Sequence, residues 1–379
     1  MSYFEHDVRT VPTGISKVLY LNWPLALLLL ALALTGFLML YSVAGGDIDH
    51  WAVPHIIRFT TGFAIMLVVA FIPLDFWCKI SPIAYLVGLV MLLAVPYAGV
   101  SRGGAQRWLD LGFSTLQPSE LMKIGVVMVL AFYYDGLDER RVSRPFWVLL
   151  PIMLILLPTI LVLQQPDLGT AILIMAGGAV VMFVAGVSWW YFVAVTLGIT
   201  LLLTGVFASR GTEYQLLEDY QYKRIETFLD PGSDPLGSGY HITQSKIALG
   251  SGGITGRGFM QGTQHMLDFL PEKHTDFIFT TLGEEFGFVG GITLLVLYSL
   301  IMTFCFASAL TNRDRFGTLL AIGVSTTFFF YFAVNISMVM GLVPVVGVPL
   351  PLVSYGGSAM LALMVAFGLV QSAHIHRPR

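Results

Sequence analysis

The sequence predicts an all-α polytopic integral membrane protein of about ten transmembrane helices. Three observations carry that reading. Of 379 residues, 56% are hydrophobic and 11% charged, with a mean hydropathy of +0.78, where soluble domains carry roughly 25% charged residues. Apolar runs approaching the ~20 residues that cross a bilayer core recur along the chain. Lys and Arg are unevenly shared among the short connections. The net charge of −3 and the lack of an extended basic run argue against a nucleic-acid partner. Cys78 and Cys305 lack metal-ligand spacing, and both fall near helix ends expected in the cytoplasm, where disulfides are rare. The first 21 residues are too polar for a signal peptide, so the first span is expected to serve as its own insertion signal.

Taken in order, spans are expected near 22–43, 55–73, 80–97, 117–134, 146–163, 168–187, 190–207, 278–307, 317–341 and 350–372. Only the WWY at 189–191 hints at a turn between the sixth and seventh. An even count places both termini on one side. Arg9, Lys17, Lys79, Arg140, Arg141, Arg144, Arg313, Arg315, Arg377 and Arg379 would share that side, against Arg58, Arg102 and Arg107 opposite. Positive charge stays inside, so both termini are expected to be cytoplasmic. The connection at 208–275, between helices 7 and 8, is then a large extracytoplasmic loop within a single membrane domain spanning 1–379. It carries turn chemistry (DPGSDPLGSG), an amphipathic piece (YHITQSKIAL) and a glycine-rich turn (GSGGITGRG), but too little apolar content for its own core. Loops of that length in compact proteins are usually functional.

Ionisable residues within spans are costly and mark candidate sites. Glu120 and Lys123, in QPSELMKIG, stand three apart on one side of the fourth span. They form either a neutralised structural pair or a cation that holds an anionic headgroup beside its orienting acid. Asp167, in QQPDLGTA, fits either a helix cap or a binding role. Arg107 suits bidentate phosphate binding, and Trp108 suits an interface anchor, a sugar face or a lipid surface. In FLPEKHTDFIF, four ionisable groups precede an apolar run. On a continuous helix, Asp276, Gly283, Gly287 and Gly290 would share one line within about 40°, leaving Asp276 near headgroup depth. His274, Glu272 and Asp268 would stand close enough to tune it or share a cation. The alternative for Asp276 is a helix N-cap.

Together GGAQRWLDLG, QPSELMKIG, QQPDLGTA, QSKIALGSGGITGRGFMQGTQ, LPEKHTDFIFTTLGEEFG and PLPLVSYGGS resemble the SEDS family (shape, elongation, division and sporulation) over nearly the whole chain. Within it the sequence looks most like the RodA-like elongation branch. The resemblance implies a peptidoglycan glycosyltransferase that polymerises lipid II at the outer face of the bacterial cytoplasmic membrane. It also implies a class B penicillin-binding protein as transpeptidase partner, and other elongation-complex membrane proteins. The family's essential aspartate falls on Asp276, its Arg-Trp pair on Arg107 and Trp108, and its intramembrane pair on Glu120 and Lys123. A second acidic position falls on Asp268, where some members carry Glu.

On that basis Asp276 is the expected general base. Arg107, Lys123 and Lys246 are expected at the substrate diphosphate, with a divalent cation (Mg2+ or Mn2+) at Asp276 and Asp268. Trp108, Glu120, Asp167 and His274 complete the expected substrate-binding set. A lipid II flippase and a non-catalytic scaffold for the transpeptidase are the rival readings. Gly341, Gly347, Gly356 and Gly357 offer a possible contact surface for the partner's membrane helix.

Overall fold

The computed structural model describes residues 14–102, 105–110, 112, 115–209, 215, 222, 238–262 and 273–377. The chain is a multi-pass bundle of long apolar helices. In order they are α1 (Trp23–Val43), α2 (Val53–Phe71), α3 (Leu74–Ala98), α4 (Pro118–Asp135), α5 (Pro145–Gln164), α6 (Leu168–Val184), α7 (Trp189–Ser209), α8 (Ser238–Ser251), α9 (Ile278–Leu310), α10 (Arg315–Val339) and α11 (Gly357–Ile375). Among the described residues eight helical stretches are long and apolar enough to span a membrane. The expected fourth and sixth spans correspond to α4, of 18 residues with its charged pair inside, and α6, of 17 residues.

Local chemistry sets many of the ends. Pro stands in the first turn of α1, α2, α4 and α5, where its missing N–H costs nothing. Asn22, Asp167 and Asp314 cap α1, α6 and α10 with their side chains. Close packing uses small residues, as expected where lipid removes any hydrophobic drive between helices. A Cβ on Gly62 of α2 would stand 2.8 Å from Met364 of α11, and one on Gly368 would stand 2.8 Å from the Met66 carbonyl. The most enclosed elements are α4, α10 and α11, whereas α7 leaves Trp189, Trp190, Leu201 and Leu202 exposed.

Two helix boundaries and one added element differ from the sequence reading. The third helix begins at Leu74, ahead of 80. The last begins at Gly357, because residues 350–356 form a turn. A small antiparallel sheet of β1 (Gly99–Arg102), β2 (Ala105–Asp110) and β3 (Thr115–Leu116) lies between α3 and α4, where no strand was expected. A fourth difference matters for the site. The continuous helix line through Asp276 and three glycines does not form, because α9 is interrupted at Gly287 (φ 63°, ψ −157°).

Candidate active site

The site is built around the main chain that precedes α9. Three consecutive carbonyls there are held by separate elements. His274 O accepts from the Tyr355 amide at 2.9 Å, Thr275 O from Ser354 Oγ at 2.5 Å, and Asp276 O from Asn335 Nδ2 at 2.8 Å. Asn335 is fully buried on α10 and also donates to Val348 O at 2.7 Å. The backbone carrying Asp276 is therefore tied to α10 and to the turn before α11. Its carboxylate lies beside Gly347, where a Cβ would stand 3.6 Å from Oδ2. Gly347 has φ 67°, which favours glycine at that contact. Phe277, not Asp276, occupies the N-cap position of α9.

The turn between α10 and α11 is the hub. Its other glycine, Gly341 (φ 71°), is covered by Lys246 of α8, whose Nζ lies 2.7 Å from the place a Cβ would take. Ser245 beside it meets Thr280 Oγ1 at 3.0 Å and donates to Val339 O at 2.8 Å, so α8 is fixed against both α9 and α10. On the opposite side, Gly169 of α6 lies under the Val346 carbonyl. Lys246, Asp276 and the start of α6 thus meet one eight-residue turn, 341–348.

Asp167 caps α6, accepting from the Thr170 amide at 3.1 Å and the Thr170 hydroxyl at 3.0 Å. Gln117 donates to it at 3.1 Å, and Arg107 pairs with it at 3.8 Å. Arg107 also donates to Gln165 O at 2.9 Å and Pro166 O at 2.5 Å. In this arrangement the Arg107 fork secures the α5–α6 turn. Trp108 pairs with Val100 across the small sheet and is half-buried.

Glu120 and Lys123 are each 4% exposed and form a 2.8 Å ion pair. Tyr331 donates to Glu120, 3.1 Å from either oxygen, and its ring lies 4.0 Å beneath the Lys123 ammonium. The cavity beside them, lined by Val127, Thr327 and Leu363 among others, has a volume of about 20 Å³, enough for one water. The expectation of Lys123 holding a headgroup therefore requires the pair to open. Asp167 lies within Coulombic reach of Lys123, and both Asp167 and Asp276 within reach of Tyr331.

His274 stacks on Trp51 with 4.6 Å between ring centroids and 3° between planes, and Tyr355 lies beyond it at 6.1 Å. Arg58 covers the other part of this cluster, 4.3 Å from the Tyr355 ring centroid. No group of three His, Cys, Asp or Glu side chains that could hold a metal occurs among the described residues. Asp268 and Glu272 lie outside the described residues. Asp276 would supply one carboxylate to such a cation, and Mg2+ held by one or two carboxylates keeps several waters and takes up substrate phosphates.

Sequence reasoning passed over two residues inside the site's framework. Glu284 and Glu285 are each 1% exposed within α9. The rule that singled out Glu120, an acid within a span, applies to both and would have found them.

Fold and site together define a polytopic membrane protein that gathers a pinned carboxylate, lysines and an enclosed ion pair at one end of its bundle. Residues 22–379 match the FtsW/RodA/SpoVE family of cell cycle proteins, and the chain belongs to that family. It is 48% identical to the peptidoglycan glycosyltransferase MrdB of Escherichia coli K12 over 286 residues, 75% of each chain. It is 37% identical to the probable peptidoglycan glycosyltransferase FtsW of Trichlorobacter lovleyi, over 73% of this chain and 70% of that one. Its fold is similar to the rod shape determining protein RodA of Thermus thermophilus, with a TM-score of 0.69 and 29% identity over 95% of this chain and 98% of that one. A chain of a peptidoglycan synthase complex that coordinates polymerization and crosslinking superposes with a TM-score of 0.80 and 31% identity, over 93% and 97% of the two chains.

Proposed function

We propose that this protein is a peptidoglycan glycosyltransferase of the elongation branch, polymerising lipid II into β-1,4 glycan strands at the outer face of the bacterial cytoplasmic membrane. Family membership and the curated names of its relatives support the activity. The observation that carries the mechanism is the pinning of three successive carbonyls around Asp276. Holding a reacting group in place is a large part of what a catalyst supplies.

The donor sugar of lipid II is joined through its anomeric carbon to a polyprenyl diphosphate, already a good leaving group. The step needs one base and a means of stabilising the departing charge. Asp276 takes the proton from the acceptor 4-hydroxyl as that oxygen bonds to the anomeric carbon. The bond from that carbon to the diphosphate breaks, and its electron pair leaves on the diphosphate. Attack opposite the leaving group inverts the centre and gives the β link. Lys246 serves the diphosphate from the other end of the 341–348 turn. Lys123 reaches a phosphate by exchanging Glu120 for it, and Arg107 by turning from the carbonyls it now holds. Trp108 supplies a flat apolar surface to the substrate sugars, His274 tunes or positions Asp276, and Asp167 keeps Arg107 and Gln117 in place. A divalent cation at Asp276 and Asp268 would screen charge on the diphosphate.

The partner in this reading is a class B penicillin-binding protein, alongside other elongation-complex membrane proteins. Gly341 and Gly357 are covered by Lys246 and Arg58, and Gly347 lies beside the Asp276 carboxylate, which sets these glycines at the site rather than against a partner helix. A groove of about 400 Å³ along α8, α9 and α10, lined by Gly283, Gly287, Gly291, Phe288, Ile292 and Met340, fits a single partner helix better.

The purified chain, incubated alone with lipid II, is expected to yield glycan polymer resolvable as a ladder. A flippase or a scaffold would leave lipid II unpolymerised, and that result would reject the proposal.

A further inference from the structure

The interruption of α9 at Gly287 is not a simple kink. In a continuous helix the amides of Phe288 and Val289 would donate to the carbonyls of Glu284 and Glu285. Here all four groups are redirected to the glycine-rich segment that follows α8. Phe288 N donates to Gly253 O at 2.9 Å and Val289 N to Ile254 O at 3.1 Å. In return Arg257 N donates to Glu284 O at 3.0 Å and Gly258 N to Glu285 O at 3.0 Å. Two helical bonds are thus replaced by four bonds between distant parts of the chain. The approach depends on missing side chains, since a Cβ on Gly252 would overlap the Gly283 carbonyl, and one on Gly256 would overlap that of Glu285.

Side chains reinforce the exchange. Arg257 pairs with Glu284 at 3.6 Å. Glu285 hydrogen-bonds Ser42 of α1, and the amide of Met260 faces the same carboxylate. Met260 itself holds φ 59°, a strained conformation for a residue with a side chain. Acids this deeply placed in a membrane bundle are retained where they serve a function.

We infer that Glu284, Glu285 and residues 252–260 form a clasp that sets the position of Asp276 relative to Lys246, with Arg257 and Glu284 as positioning residues. The inference rests on the reading of Asp276 as the catalytic base. The half-helix Ile278–Phe286 carries Asp276 just before its start and is gripped by the clasp at its far end. The clasp continues directly from α8, which carries Lys246. Lys246 stands on the helix that leads into the clasp and Asp276 just ahead of the half-helix the clasp grips, so the clasp joins these two segments within the bundle.

The test measures kcat and KM for lipid II, with thermal stability in parallel, on purified full-length Arg257→Ala, Arg257→Lys, Glu284→Gln and Asp276→Asn. Arg257 is partly exposed, Glu284→Gln removes the charge on the buried side of the same pair, and the parallel stability measurement identifies the folded fraction of each variant. Misplacement by about 1 Å can cost on the order of 10²-fold in rate. Arg257→Ala and Glu284→Gln should therefore lose about 10-fold to 10²-fold in kcat with KM little changed. Arg257→Lys should recover most of that loss. A merely structural role would lower thermal stability and leave kcat per folded molecule unchanged, which would overturn the inference. Wild-type kcat in folded Arg257→Ala and Glu284→Gln, beside an inactive Asp276→Asn, would overturn the clasp alone. An active Asp276→Asn would instead remove the reading on which it rests.

Discussion

The two charged regions of this bundle are built on opposite plans. Glu120 and Lys123 spend their charges on each other and on Tyr331, enclosed by α4, α10 and α11 around a cavity of about 20 Å³. At Asp276 the backbone is what is tied down, through three carbonyls, while the residue itself is only half-buried beside a glycine turn. The first plan neutralises charge within a low-dielectric interior, where an unpaired ion is expensive. The second presents a carboxylate in a fixed place. Two carboxylates within the family's motifs thus have different physical jobs, set by their surroundings.

The ion pair is the more sensitive of the two regions to a single substitution. Removing one partner of a buried pair costs about 3–5 kcal/mol, whereas removing both is often close to neutral. Lys123→Met should therefore lower thermal stability strongly, and Lys123→Met combined with Glu120→Gln should regain most of it. Activity of the stable double variant then decides the role of Lys123. Wild-type polymerisation would show the pair to be purely structural, and loss of polymerisation fits a lysine that exchanges its acid for a phosphate.

Asn335 anchors the pinned backbone from α10. Asn335→Leu leaves the Asp276 and Val348 carbonyls without their donor, at about 1–3 kcal/mol for each unsatisfied group. It should lower kcat for lipid II by roughly 10-fold or more, in keeping with the cost of misplacement. Unchanged kcat would show that the carboxylate does not depend on its backbone anchor. Ser354→Ala removes the bond to the Thr275 carbonyl and the one accepted from the Leu350 amide, each worth about 0.5–1.5 kcal/mol. Its effect on kcat should be smaller than that of Asn335→Leu, and the reverse order would misplace the principal anchor.

The smallest expected effect is at the other end of α10. Burial, reinforced by the charges of Asp135 and Asp75, raises the Asp314 carboxyl above its ordinary range, and the Gly317 amide opposes the shift. With the folded value raised, the stability tied to protonation is present at low pH and lost as pH rises through the folded value. Asn caps helices as well as Asp. Asp314→Asn should therefore match the native protein at low pH and be slightly more stable at neutral pH. A variant less stable at neutral pH than at low pH, relative to the native chain, would contradict this.

Much of this was legible in the sequence. Apolar runs located the helices, since membrane thickness imposes a length that needs no tertiary knowledge. The acids and cations of the site were legible because charge within such runs is rare. The break at Gly287 was not, because its cause is the segment 252–258, more than 25 residues upstream, and periodicity carries no long-range hydrogen bonding. The turn 350–356 was likewise hidden within an apolar run, where PLPLVSY reads as membrane span although it serves to hold the carbonyls before Asp276. Whether Asp167 caps, binds or does both also exceeded the sequence, as did Arg107 turning its fork onto the α5–α6 carbonyls.

The central claim is that Asp276 is the base for glycan polymerisation. Its most direct test is the rate of polymer formation from lipid II by purified Asp276→Asn, with lipid II binding measured on the same sample. Asn preserves shape and hydrogen bonding but cannot take the proton, and general-base assistance is worth about 10²–10⁴-fold. A loss at least that large is expected, with binding retained. Polymerisation by Asp276→Asn at a rate near that of the native protein would contradict it.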